Sequence, residues 1–131
     1  MIVSYNIANV FVSAPSGPVV FTPINLSAYN NYNVSNTDAY IDVSWQPKQP
    51  AGAEGYKIYA KSGSWNDPII LRATITLAQA NINANFDGST WGPALFERTY
   101  FIYVTAYNSF GETALSGNQS DWAEIFTSYP D

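Results

Sequence analysis

The chain has 131 residues, no Cys, no His and a formal net charge of −5. A length of this size argues for one domain able to bury a core without disulfides or metals. Lack of Cys and His excludes thiol nucleophiles, thiolate metal sites, imidazole bases and the usual Ser-His-Asp triads.

Charged residues make up 11 % of the chain and aromatic residues 16 %. Disordered chains are poor in aromatics and rich in charge, so this composition predicts a folded domain. Neutral Asn, Ser and Thr must then cover the surface, as in Asn30-Asn31-Tyr32-Asn33 and Asn81-Ile82-Asn83-Ala84-Asn85. Ten acidic residues against five basic ones disfavour neutralising phosphates or anionic headgroups. No nucleic-acid partner and no membrane insertion are therefore expected. No apolar run reaches the length of a membrane span. The first residues, Met1-Ile2-Val3-Ser4-Tyr5-Asn6, lack the basic start and apolar centre of a secretory signal. The expected location is a virion or the extracellular space, reached after signal removal or by release on lysis.

Along the chain, residues 1–22 come first. Their apolar positions Val3, Tyr5, Ile7, Val10 and Val12 end at a break, Pro15-Ser16-Gly17-Pro18. Extended, such an arm spans about 70 Å. It either adds a strand to its own domain or pairs with a neighbouring subunit by strand addition. Residues 23–131 read as the domain proper. Ile24 to Ala28, after Pro23, fits a first edge strand. Ile41, Val43 and Trp45 alternate with polar residues, as do Tyr56, Ile58 and Ala60. Ile69 to Ile75 is apolar and β-branched, and Ile82, Ala84 and Phe86 alternate with Asn83 and Asn85. Residues 87–96, containing Gly88, Gly92 and Pro93, read as a long connection of the kind that carries function. Tyr100, Ile102, Val104 and Ala106 alternate next, and Trp122 to Thr127 closes the series. The result is an all-β class: a two-sheet antiparallel sandwich of about seven strands with an N-terminal extension.

The segments Ile41-Asp42-Val43-Ser44-Trp45-Gln46-Pro47, Gly55-Tyr56-Lys57-Ile58-Tyr59 and Thr99 to Asn108 resemble the second, third and sixth strands of a fibronectin type III domain. The following Ser109-Phe110-Gly111-Glu112-Thr113-Ala114-Leu115-Ser116 resembles that family's next turn. The resemblance covers residues 23–128. It implies a core position for Trp45 and a tyrosine corner at Tyr100, its hydroxyl bonded back to nearby backbone. It departs from the family at Leu95-Phe96-Glu97-Arg98-Thr99, where a short Pro-Gly turn is usual, and no Arg-Gly-Asp occurs. The family is a scaffold with many duties, so the resemblance leaves function open.

Two carboxylates flanking a cleft would suit a glycosidase, with Asp67, Asp87, Glu97, Glu112 and Asp121 as candidates. None lies in a recognisable motif, and solvated loop carboxylates explain them better. Asn85, Asp87 and Ser89 resemble a calcium loop but lack its spacing and closing Glu, which favours a polar turn. No enzyme activity, metal or cofactor is expected. Trp65 and Trp91 fall in polar loop contexts, where they either bind a sugar or a protein or cap the sandwich end. Tyr59, Tyr103 and Tyr107 are predicted on outward faces of adjacent strands, either as cross-strand pairs or as a flat contact surface. Trp122 is predicted in or beside the last strand. The sequons at Asn25, Asn33 and Asn118 matter only in a eukaryotic secretory pathway.

These features favour a structural and interaction protein in a larger assembly, such as a head-decoration or tail-associated protein of a phage. A carbohydrate-binding module, with cell-surface glycans as partners, and a spacer in a secreted multidomain protein are the alternatives.

Overall fold

Alternating apolar residues along 39–46 and 55–62 face each other across the gap between two sheets, and this gap is the core. The computed structural model describes residues 17–32 and 38–129. The arm positions Val3, Tyr5, Ile7, Val10 and Val12, and the sequon at Asn33, lie outside the described residues. Among the described residues eight strands form: β1 (Ile24–Tyr32), β2 (Ala39–Gln46), β3 (Gly55–Ser62), β4 (Ile70–Thr76), β5 (Asp87–Ala94), β6 (Arg98–Asn108), β7 (Gly111–Glu112) and β8 (Ala123–Thr127). One antiparallel sheet has the order β1-β2-β5. The other has the order β4-β3-β6, with β7 and β8 pairing opposite ends of β6.

Ile41, Val43 and Trp45 of β2 pack against Tyr56 and Ile58 of β3 and Tyr100, Ile102 and Val104 of β6. Each fully buried large apolar side chain contributes about 1.5–3 kcal/mol relative to exposure. Trp45 is fully buried, with its ring 4.9 Å from that of Tyr56 in an edge contact. Tyr100 is buried, and its hydroxyl accepts the Leu95 N–H at 2.8 Å. Glu97 takes a left-handed φ of 57° in the turn between Leu95 and Thr99. Val19 and Phe21, which the sequence boundary leaves in the arm, are buried in the core, and Phe21 lies 5.6 Å from the Tyr56 ring. The sandwich therefore begins before residue 23.

The middle of the chain departs from the expected strand order. Ile82 to Phe86 is not a strand, because the Asn83 side chain accepts the backbone N–H groups of Asn85 and Phe86 at 2.7 and 2.8 Å. Amide side chains that bond local backbone compete with ladder formation. The strand is instead β5, within the segment read as a loop. Its Gly92 fits because β5 lies close on β2: a Cβ there would come within 2.4 Å of the Tyr40 ring. A short helix not foreseen in the sequence, α1 (Leu77–Ala80), joins β4 to this region. Thr76 and Gln79 form a capping box at its start, satisfying two otherwise orphaned N–H groups.

Candidate functional site

On the outer face of the second sheet, Tyr59 of β3 stands directly opposite Tyr103 of β6. Both point outward, as the alternation predicts, yet neither forms an open plate. Tyr103 is buried under Trp122, with ring centroids 5.3 Å apart. Burial raises the Tyr103 hydroxyl pKa, and the nearby Asp121 adds to the shift. The Tyr59 hydroxyl donates to Glu112, which also accepts from Thr105 at 2.8 Å and Lys57 at 3.2 Å. Burial and the Glu112 partner push the Tyr59 hydroxyl up to about 12. At Glu112, burial acts to raise the carboxyl, but hydrogen bonds from Tyr59, Thr105 and Lys57 and the Lys57 charge outweigh it and hold it low. Tyr107 is half-buried, with the Lys57 ammonium 5.6 Å from its ring centroid.

Farther along this face, Phe101, Tyr103 and Trp122 make a second small core, covered by Trp65 and Leu115. This explains why β6 is buried on both faces. Trp65 does lie in the loop after β3, but its side chain folds back onto the sheet. Its ring meets Phe101 and Trp122 edge-on at 5.8 and 5.4 Å, and the Lys61 ammonium sits 3.3 Å over its centroid. Lys61 also donates to the Trp65 carbonyl at 2.8 Å. The arrangement is a cation-clasped cap on the sheet.

Trp91 is not a loop residue. It lies in β5 opposite Ile41, is 8 % exposed, and meets Tyr100 edge-on at 5.5 Å. An indole so covered has no ring face for a sugar. Its outer side borders a groove of about 480 Å³ where the edges of the two sheets, β4 and β5, lie side by side. Across this groove Arg72 of β4 places its guanidinium carbon 5.3 Å from the Trp91 centroid. Beside it, Ile69, Ile70 and Leu71 are 41 %, 44 % and 47 % exposed. In the sequence this run is apolar and mostly β-branched, which marks a strand but not its exposure.

A second groove, of about 340 Å³, lies on the outer face of the first sheet. Tyr29, 62 % exposed, and Ile82 flank Asp42, Ser44 and Thr90 there. The Asp42 carboxylate is held by Asn31 at 2.9 Å and by the Thr90 hydroxyl.

The carboxylates considered for catalysis are dispersed. Asp87 is buried and accepts from Lys48 at 2.8 Å, Tyr56 at 2.6 Å and the Gln49 N–H at 3.1 Å. Its carboxylate is thus tied to these three donors at the start of β5, and Asn85 and Ser89 are not among its hydrogen-bond partners. Asp67 caps its own loop by accepting the Ser64 N–H at 2.8 Å, and Asp121 accepts from Ser116 at 2.6 Å. No cluster of three or more metal-ligating acids occurs among the described residues.

No family model matches the chain, and no curated protein matches it. Solved fibronectin type III domains do. That of human contactin 1 superposes with a TM-score of 0.65 at 20 % identity, covering 98 % of this chain and 95 % of that one. That of the human collagen alpha-1(XX) chain gives 0.55 at 20 % identity, covering 91 % and 93 %. At this identity the likeness shows the fold, a fibronectin type III sandwich, and nothing narrower.

Proposed function

From a fibronectin type III sandwich whose polar clusters are tied up in its own structure, we infer a non-enzymatic interaction module. Its finer role, on this reading, is that of a subunit contacting its neighbours in a larger assembly, such as a phage particle. The observation that carries it is the start of the edge strand β4 with the residue before it, where three consecutive aliphatic residues, Ile69, Ile70 and Leu71, stand about half exposed. An apolar run on a sheet edge that no described strand covers is a costly feature for a free monomer and a useful one at an interface. The low charge of the chain also suits close packing against other subunits. When a source lysate is banded by density, the chain is expected in the particle fraction. The double substitution Ile70→Glu, Leu71→Glu should release it from that fraction while leaving its circular dichroism unchanged. A wild-type chain found free at all densities would overturn the particle reading.

Tyr29 favours a second reading, a glycan-binding face. Its exposed ring beside Asp42 and Thr90 offers a stacking surface next to fixed hydrogen-bonding groups. A glycan array should then show binding that Tyr29→Ala abolishes and Trp65→Ala leaves in place. Absence of any bound glycan would remove this reading.

A further inference from the structure

We propose that the groove between β4 and β5 is a receptor for an extended, acidic segment of a partner protein, with Arg72 as the group that grips a partner carboxylate. The inference rests on the interaction-module reading and names the partner chemistry.

The placement of Arg72 begins with a bulge. Ile58 pairs with Ala73 and Tyr59 with Leu71, so Arg72 is the extra residue in β4. A bulge shifts the alternation of a strand by one and re-aims a side chain. Ala73 and Ile75 pack on the core, so regular alternation would bring Leu71 over it as well. With the bulge, Leu71 turns outward and Arg72 swings across the gap between the sheets. Its guanidinium settles 5.3 Å from the Trp91 centroid and 6.0 Å from that of Tyr100. Two aromatic rings therefore fix the position of the cation.

The cation is fixed but not satisfied. Arg72 Nε is buried without a hydrogen-bond partner, and the guanidinium forms no ion pair among the described residues. This occurs in a chain where acidic residues outnumber basic ones two to one. Trp91, more than nine-tenths buried at the same groove, also has its indole N–H without an acceptor. Among the described residues lining the groove, Arg72 is the one charged group. Buried donors are normally paired, and such exceptions call for an acceptor. A planar guanidinium fork matches a carboxylate better than any other common acceptor in a protein partner.

The walls define the rest of the ligand. Leu71 and Pro93 border the groove, and Ile69 and Ile70 continue the apolar edge beyond it. A segment with an Asp or Glu flanked by aliphatic residues satisfies both features: the carboxylate meets Arg72 while its neighbours cover the exposed edge.

The test titrates the full chain with two synthetic peptides, acetyl-Thr-Val-Glu-Val-Thr-amide and its Gln counterpart. The Trp91 indole N–H resonance, assigned with Trp91→Phe, reports binding. The Glu peptide is expected to bind at least tenfold more tightly than the Gln peptide and to move that resonance. Arg72→Met, which keeps an apolar side chain over the indole, should abolish the preference. Arg72→Lys, which keeps charge but loses the fork, should reduce it. Equal binding of the two peptides by the wild type would overturn the proposal, as would a Trp91 resonance unmoved at millimolar peptide. Self-association that Arg72→Met abolishes would overturn it in favour of a second copy as the occupant. If the peptides fail while the chain still bands with particles, this site is wrong and the interaction-module reading stands.

Discussion

The hydroxyl of Tyr56 donates to the carboxylate of Asp87 at 2.6 Å, joining β3 of one sheet to β5 of the other inside the core. The same carboxylate accepts from Lys48 at 2.8 Å, and Lys48 in turn reaches the Asn81 side chain at 2.6 Å. Burial, followed by the Asp87 hydrogen bond, raises the Tyr56 hydroxyl far above its usual range. Tyr56 thus acts as a neutral donor at every ordinary pH. Removing one member of a buried charge network leaves the others desolvated and unpaired. Asp87→Ala should therefore cost about 3 kcal/mol, and Tyr56→Phe about 1 kcal/mol, since Asp87 keeps its other donors. Urea unfolding followed by tryptophan emission measures both. Equal small losses would mean the network is not a structural tie.

The clasp over the second small core gives a different expectation. Lys61 holds Trp65 through its ring and its carbonyl, and Trp122 covers Tyr103. Lys61→Met retains most of the apolar stem but loses the cation, so about 1 kcal/mol should be lost. Trp122→Ala uncovers Phe101 and Tyr103 and should cost about 3 kcal/mol or more. It should also create a site for a hydrophobic dye, which Lys61→Met should not. Dye fluorescence across the two variants distinguishes the lid from the clasp.

What the sequence made legible follows from physical range. Trp45, Tyr56, Ile58 and Tyr100 lie in strands whose alternation of apolar and polar residues is local, and their burial can be read from that alternation. Trp91 and Arg72 were not legible. Whether β5 is a strand depends on β2 lying against it, and Gly88 and Gly92 look the same in a turn as in a tightly packed strand. The swing of Arg72 depends on a one-residue bulge that only the register with β3 reveals. Trp65 illustrates a third limit: its loop position was visible, but the ammonium and rings that hold it come from Lys61, Phe101 and Trp122.

Glu112 carries a pH expectation. Its folded pKa lies below the ordinary value of 4.5, so its bonds to Tyr59, Thr105 and Lys57 stabilise fully above about pH 4.5. That contribution is lost as pH falls through the lower folded value. Tyr59 behaves in the opposite sense. Its hydroxyl is raised from 10.0 to about 12, so its donated bond contributes fully below pH 10.0 and is lost as pH rises through about 12. Glu112→Gln should therefore unfold at lower urea than the wild type at pH 7, and the difference should shrink towards pH 3. A difference independent of pH would show that the carboxylate charge is not what the three donors recognise.

Truncation from the N-terminus separates folding from assembly. Val19 and Phe21 are buried in the sandwich core, and the Gly17 carbonyl accepts from the Asn108 side chain at 3.0 Å. Deleting residues 1–22 removes both core side chains. With roughly 1.5–3 kcal/mol for each buried group, the loss should be about 3–6 kcal/mol. Such a loss can unfold a domain whose whole stability is of order 5–15 kcal/mol. Deleting residues 1–16 keeps both side chains, so a loss of unfolding free energy beyond about 0.5 kcal/mol would report an arm that packs on its own domain. The shorter deletion is therefore the one that tests the arm: if the apolar residues Val3 to Val12 pair with a neighbouring subunit, it should leave a folded chain that no longer bands with particles. A deletion of 1–16 that bands normally would remove the arm from assembly and leave β4 and its groove as the contact.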